Sequence, residues 1–456
     1  MPRLLRLLLA WSLFFFDCGL AGAAPQGDRC VILVTIDGLA NFYLDDPLAD
    51  MPTLHRLARE GARAQGMVCV FPTVTWPNHV ALATGASPAK TGVVGNSYLD
   101  RRSGKPVMLI CDPVLDKDQT VKVPTVFDAA HEAGLKTAAI SWPATRNART
   151  LDWTAPDMFG DGWDRFATPS WLAELRGEGV PVDRQARWCK EETGGAMRDW
   201  LYTRMAVQVI GRHAPHLLLL HLVEMDHVEH RSGPSSPEAY WCARYSDDRL
   251  RELVEAIEHS KFAGKTTLFV CSDHGFQPIR HNIHPNVRLR QMGLLKVQER
   301  KPAACCLSQG GSSAVYVLDQ DRRELVVKRL ENELAQVEGV EAVLDARQFG
   351  KLGQPSLKQE PRGADLWLAA KYGYAFDDAA DGDAVVTHLK TTVGTHGHLP
   401  DQPALLATCV VWGAGVKPGT ELGKISNLSI APTIASMLGV ALPTAEGKPL
   451  EKLLGP

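Results

Sequence analysis

Five short apolar stretches constrain this chain more than any other feature: "CVILVTID", "TAAISW", "HLLLLHLVEMD", "TTLFVCSDHG" and "ALLATCVVWG". None alternates apolar with polar residues, so each reads as a strand buried on both faces. Between them, "MPTLHRLAREGA", "VPTVFDAAHEAGL" and "YSDDRLRELVEAIEHS" place apolar residues three and four apart and read as amphipathic helices. Strands alternating with helices imply an α/β fold, a three-layer sandwich with a mostly parallel central sheet and helices on both faces. The segment 280–392 differs. It carries "SSAVYVL", the charged helix "DRRELVVKRLENELAQVE" and the strand-like "GVEAVLD". It reads as a smaller inserted α+β subdomain, because a core-like strand and a further motif return after it.

A chain of 456 residues is long enough to bury a large core. With 45% hydrophobic and 22% charged residues and a formal net charge of −3, it has the composition of a soluble globular protein. No basic excess points to a structural nucleic-acid partner, and no acidic block points to a disordered tail.

The opening "MPRLLRLLLAWSLFFFDCGLAGAAP" places Arg3 and Arg6 before an apolar run and ends on small residues. That order reads as a secretory signal peptide over residues 1–24, cut near Ala23 or Ala24. The run from Leu7 to Phe16 is shorter than the roughly 20 residues a spanning helix needs, so the mature chain is expected to be exported, periplasmic or secreted, without a transmembrane anchor. Of ten cysteines Cys18 leaves with the leader, so nine remain and at least one is unpaired within the monomer. Cys271 and Cys409 lie in strand-like runs and read as small core residues. Cys30, Cys69, Cys111, Cys189 and Cys242 are candidates for disulfides in an oxidising compartment. No CxxC pair argues for a cysteine zinc site.

Several apolar runs end on an acid. Asp37 closes the first, Asp226 follows another with His230 four positions on, and Asp273 with His274 closes a third. Open α/β sheets gather ligand-binding and catalytic groups at the carboxyl ends of their strands. Each such residue alone reads more simply as a helix cap or turn former. Together with His396 in the late "GTHGH", the three acids and their histidines form a donor set of carboxylate and imidazole that suits zinc. In "FPTVTWPNHVALATG", Pro77 suits the first turn of a helix and Gly85 its end, which puts Thr75 at the helix amino terminus. Free N–H groups and the helix dipole favour an anion there. A threonine hydroxyl at such a place is ordinarily an N-cap; beside a metal it can be deprotonated and attack phosphorus.

The ordered motifs "TIDGL", "PTVTWPNHVALATG", "GVVGNSY", "EMDHVEH", "SDHG" and "GTHGH", followed by "ISNLSIAPTIASMLGV", resemble the alkaline phosphatase superfamily and, within it, the nucleotide pyrophosphatase/phosphodiesterase branch. The resemblance covers nearly all of the mature chain, 25–456. It implies two zinc ions: Asp37, Thr75, Asp273 and His274 at one, and Asp226, His230 and His396 at the other. It further implies that Thr75 is the nucleophile of a covalent intermediate and that Asn96, with a backbone N–H near Trp76, donates to a non-bridging oxygen. Trp76, with a core tryptophan as the alternative reading, and Trp142 would line the slot for a base or leaving group. The chain departs from the family pattern at Met225, where Pro is usual, at Glu229, where Gly is usual, and after His396. His398 and Asp401 read as groups of a solvated loop, with a supporting role at the site as the alternative.

The implied activity is hydrolysis of a small phosphodiester or nucleotide. A phosphomonoesterase is the runner-up; it needs a further cation for the extra charge, and the residues after Thr75 are Trp76, Pro77 and Asn78. A phosphonoacetate-type hydrolase shares the threonine and metal set. A sulfatase is disfavoured, because its modified Cys or Ser followed by Pro and Arg is missing from "TVTWPNH". A zinc-binding pseudoenzyme on the same fold is the non-enzymatic alternative, and the complete nucleophile and ligand set argues against it.

Overall fold

The structure is a computed structural model that describes residues 27–110, 114–192, 194–295 and 302–454. The leader and Cys111 lie outside the described residues. The expected runs all form strands of one eight-stranded sheet. Its order is Thr420–Ser426, Ala62–Val68, Cys409–Gly413, Thr266–Cys271, Cys30–Ile36, Leu217–Leu222, Thr137–Ile140 and Trp153–Ala155. The five strands from Thr266–Cys271 to Trp153–Ala155 run parallel, while Cys409–Gly413 lies antiparallel to both its neighbours.

The central strand shows why no polar alternation was needed. Ile32 and Val34 pack on one side with Leu54, Met205 and Leu253, from the helices Pro52–Glu60, Gly194–Arg212 and Pro237–Glu258. Val31 and Leu33 pack on the other with Leu82, Phe127 and Ile434, from Thr75–Thr84, Val126–Glu132 and Ile430–Leu438. Helices thus cover both faces of the sheet. The strands Ala62–Val68 and Thr420–Ser426 were not visible as apolar runs. Each contains glycine and polar residues, and Thr420–Ser426 is an edge strand that keeps one face toward solvent.

Beyond Asp273 the chain builds two smaller sheets. Gly373–Phe376, Gln277–Ile283 and Val386–Thr395 form one, and Ala304–Ser308, Ser312–Val317, Leu366–Ala370 and Val340–Leu344 form an antiparallel other. Helices Pro285–Gln291 and Arg323–Leu334 cover one face of the four-stranded sheet through Leu289, Val326 and Leu330. Its other face packs Tyr316 and Trp367 against Phe71 and Leu99 of the main body.

The disulfide expectation is corrected for the described residues. Cys30, Cys69, Cys189 and Cys242 are free thiols, and all but Cys189 are buried. Cys271 and Cys409 meet across adjacent strands as buried free thiols, Cys271 Sγ donating to Cys409 Sγ at 3.7 Å. No helix among the described residues is long and apolar enough to cross a membrane.

Candidate active site

Asp37 directly follows the Cys30–Ile36 strand, Asp273 lies two residues past Thr266–Cys271, and Asp226 lies in the first turn of Glu224–Ser232, after Leu217–Leu222. Because these strands are adjacent and parallel, their carboxyl ends bring the three acids together. Asp37 is followed by Gly38 at φ 76°, where an added Cβ would meet Phe276 at 3.0 Å and Glu229 Oε2 at 3.1 Å. Only glycine fits this turn without strain.

The histidines are oriented by the backbone. Nδ1 of His230 faces the carbonyl of Gly394 at 3.2 Å, Nδ1 of His396 that of Thr73 at 2.9 Å, and Nδ1 of His274 that of Gly275 at 3.2 Å. With Nδ1–H donated to a carbonyl, each ring presents the Nε2 lone pair to the interior, the tautomer a metal ligand requires. His230 Nε2 lies 3.3 Å and His396 Nε2 3.4 Å from the same oxygen, Asp226 Oδ1. His274 Nε2 lies 3.2 Å from Asp37 Oδ1 and 3.3 Å from Asp273 Oδ2. The rings of His274 and His396 stack at 3.7 Å, so the two groups adjoin.

Whether the donors fit a cation can be judged from their unused bonding. Asp37 Oδ1, Asp226 Oδ1, Asp273 Oδ2 and His274 Nε2 are all buried without a hydrogen bond. Groups of Asp226, His230 and His396, and of Asp37, Asp226 and His274, converge within 4.8 Å, with Asp226 common to both. Buried carboxylates that face one another are costly unless protons or a cation lie among them. The electrostatics agree. Burial and the repulsion of Asp37 push the Asp273 carboxyl up to about 8. Burial alone would lower His274, but the Asp273 and Asp37 carboxylates push it up to about 10. The residues present therefore fit a bound metal.

Thr75 is the first residue of the helix Thr75–Thr84, which ends at Gly85 in the left-handed region, φ 65°, as the sequence predicted. It is buried beside the cluster, with its carbonyl accepting from His79 Nδ1 at 2.9 Å. Asn96 Oδ1 accepts the Trp76 N–H at 2.8 Å, at the amino terminus of this helix. This N–H was expected to donate to substrate; it donates to Asn96 Oδ1.

Trp76 and Trp142 require correction. Each is 1% exposed, so neither offers a stacking face. Trp76 packs among Val80, Val93, Leu109, Val121 and Ala144, and Trp142 packs edge-on against His79 with centroids 4.9 Å apart. His398 is also not in a solvated loop: it is buried, with Nε2 on the Tyr374 carbonyl at 2.9 Å, whereas Asp401 is exposed. Glu229 is wholly buried and accepts from Tyr43 Oη at 2.8 Å; burial raises its carboxyl well above the usual range.

Sequence reasoning missed a support layer under the acids. Thr35, His79 and His221 are all buried: Thr35 Oγ1 lies 2.9 Å from His79 Nε2 and 3.1 Å from His221 Nδ1, and the two rings meet at 3.0 Å between those nitrogens. His79 Nδ1 lies 3.5 Å from Asp273 Oδ2. The available signal was a histidine interrupting the doubly buried run "LLLLHL".

This fold and donor set fit a metal-dependent hydrolase, and the family match assigns the reaction to phosphodiester bonds. The chain belongs to the type I phosphodiesterase/nucleotide pyrophosphatase family, whose model matches residues 31–399, within the alkaline phosphatase superfamily. The family consists of hydrolases of phosphodiester bonds. A pyrophosphatase/phosphodiesterase of Schizosaccharomyces pombe is 23% identical over 416 residues, 90% of this chain and 76% of that protein. Venom phosphodiesterase 2 of Crotalus adamanteus is 24% identical over 266 residues, 58% of this chain but only 29% of the venom protein. Among solved structures, murine ectonucleotide pyrophosphatase/phosphodiesterase 5 superposes with a TM-score of 0.68 at 17% identity, covering 92% of this chain and 98% of that one. An inactive variant of the same murine protein is known in complex with AMP.

Proposed function

We propose that this chain is an exported two-zinc hydrolase that cleaves phosphodiester or pyrophosphate bonds through a covalent threonine intermediate. Asp37, Thr75, Asp273 and His274 would hold one ion, and Asp226, His230 and His396 the other. Once bound, the ions would supply Lewis acidity, lowering the pKa of the Thr75 hydroxyl and drawing charge from the reacting phosphoryl group. Thr75 Oγ1 gives up its proton and bonds to phosphorus, the P–O bond to the alcohol or phosphate leaving group breaks with that oxygen taking up a proton, and water cleaves the Thr75–phosphorus ester, releasing the phosphate product and restoring the threonine hydroxyl. Asn96, held through Oδ1 by the Trp76 N–H, turns its amide hydrogens to a non-bridging oxygen. The segment 280–392 is read as an inserted subdomain that supports this loop, since Gln309 Oε1 accepts the Asn96 backbone N–H at 2.7 Å.

The observation that carries this reading is the convergence of unpaired carboxylate oxygens and Nε2 lone pairs on a common interior, next to a threonine at a helix amino terminus. The substrate class is a small phosphodiester or nucleotide, as in the AMP complex of the murine protein. Export rests on the leader-like residues 1–24 and on relatives named as venom and ecto-enzymes.

The test compares kcat/KM for a p-nitrophenyl nucleotide diester and for p-nitrophenyl phosphate, on zinc-loaded protein. Diester preference is expected. Thr75→Ala should abolish turnover while metal content stays near the wild-type value, because six other ligands remain. Turnover that survives in this variant sinks the nucleophile assignment, and monoester preference moves the chain to the phosphatase reading.

A further inference from the structure

Thr73 is wholly buried two residues before Thr75, and both hydrogen bonds of its hydroxyl lead away from the helix Thr75–Thr84. Oγ1 donates to the His398 carbonyl at 2.9 Å and accepts the Gly397 N–H at 3.0 Å. The Thr73 carbonyl accepts from His396 Nδ1 at 2.9 Å. One residue beside the nucleophile therefore grips three consecutive residues around a metal-facing histidine. A turn that offers one buried N–H and one buried C=O needs a group that accepts and donates at once, and a hydroxyl does both.

Both sides of this link are braced. Asn78, also wholly buried, donates through Nδ2 to the carbonyls of Pro72 at 3.1 Å and Val74 at 2.8 Å, while its Oδ1 accepts the Val70 N–H at 2.9 Å. The segment that leads into Thr75 is held in this way. On the other side, the His396 carbonyl accepts the Gly311 N–H at 2.7 Å, from the turn before the strand Ser312–Val317. Gly397 sits there at φ 93°, where an added Cβ would lie 1.9 Å from the Gln309 carbonyl oxygen. Removing the Thr73 hydroxyl would leave the Gly397 N–H and the His398 carbonyl buried without that partner. Buried backbone groups left unpaired are costly, so the turn shifts to regain partners and takes His396 with it.

We propose that Thr73 is a positioning residue whose hydroxyl fixes the Nε2 lone pair of His396 relative to the Thr75 hydroxyl. The proposal rests on the hydrolase reading above. Thr73 is outside the metal-facing set and acts through His396, which would hold an ion together with Asp226 and His230. Both the hold on that ion and its alignment with Thr75 depend on where the His396 ring stands. Metal affinity and kcat should therefore respond together, and substrate binding should not.

Wild type, Thr73→Val and Thr73→Ser are compared. Valine keeps the volume of threonine and removes the hydroxyl, whereas serine keeps the hydroxyl and removes the methyl. For Thr73→Val the expected result is zinc bound about 10-fold more weakly in competition with a chromophoric chelator. At saturating zinc, kcat on a p-nitrophenyl nucleotide diester should fall by about 10 to 100-fold, with KM within about twofold of wild type. Thr73→Ser should restore zinc affinity and kcat to within about threefold of wild type. Wild-type zinc affinity and kcat in Thr73→Val, measured below its melting temperature, overturn the proposal. A serine variant as impaired as the valine variant also overturns it, because the methyl and not the hydroxyl then matters. Thr73→Ala takes the place of Thr73→Val in the same comparison if the valine variant does not fold. In a His396→Ala background, Thr73→Val should change zinc affinity by less than about twofold. An undiminished loss there shows a general effect on the fold and overturns the link to His396. Wild type that binds zinc and cleaves no phosphodiester refutes the hydrolase reading instead, and the zinc-affinity comparison still decides whether Thr73 positions His396.

Discussion

His221 supports Asp37 from behind: its Nε2 lies 3.4 Å from Asp37 Oδ2, while the other carboxylate oxygen faces His274 at 3.2 Å. Thr35 and His221 sit directly opposite in the parallel register of their strands, and His79 closes the group from the helix that carries Thr75. One buried layer therefore touches Asp37, Asp273 and the backbone of Thr75 at once. Groups that orient a metal-ligating carboxylate are typically worth about 10 to 100-fold in metal affinity.

Replacing His221 with Phe keeps the ring volume and removes the nitrogen behind Asp37. Zinc affinity, measured by competition with a chromophoric chelator, should weaken by about 10 to 100-fold. At saturating zinc, kcat should fall less than affinity does. Unchanged affinity would show that Asp37 needs no support from this side.

Asn96 is held from two directions. Its side chain takes the Trp76 N–H at 2.8 Å, and its backbone N–H is taken by Gln309 Oε1 at 2.7 Å. Asn96→Ala should lower kcat by about 100-fold, the usual cost of one donor to developing charge. Gln309→Ala should give a smaller loss, about 10-fold, because the donor remains but its loop is freed. Steady-state kinetics on the preferred diester checks both, and a larger loss from Gln309→Ala than from Asn96→Ala would reverse the assigned roles.

A stability prediction lies away from the site. Asp128 caps its helix reciprocally with Thr125, the N–H of Thr125 donating to Oδ2 at 2.8 Å, and accepts from Lys117 Nζ at 2.6 Å. Burial alone would raise this carboxyl, but the Lys117 ammonium and the Thr150 hydroxyl hold it below the ordinary 3.8. The unfolded chain then binds the proton more readily, so the contribution is full above that value and is lost as pH falls through the lower folded one. Asp128→Asn should cost about 2 kcal/mol near neutral pH. Urea midpoints at about pH 7 and about pH 3 check the sign, since the gap between the two proteins should narrow in acid. A gap that stays constant would rule out the charge as its source.

The sequence by itself determined the layered α/β plan, since continuous apolar runs are stable only as strands covered on both faces. It also determined which residues stand at the strand ends and that Thr75 opens a helix, because Pro77 and Gly85 act locally through φ alone. The polar partners of those residues were decided by tertiary structure. His221 and Asp37 are 184 positions apart, and Arg198 meets His227 only because one helix packs beside another. The burial of Trp76 and Trp142 was settled in the same way, since an indole beside a catalytic residue satisfies one hydrophobic pattern whether it faces a ligand or the core. Backbone preferences and apolar periodicity are local and survive in the one-dimensional string. Contacts between polar side chains depend on register and packing, which exist only once the layers have closed.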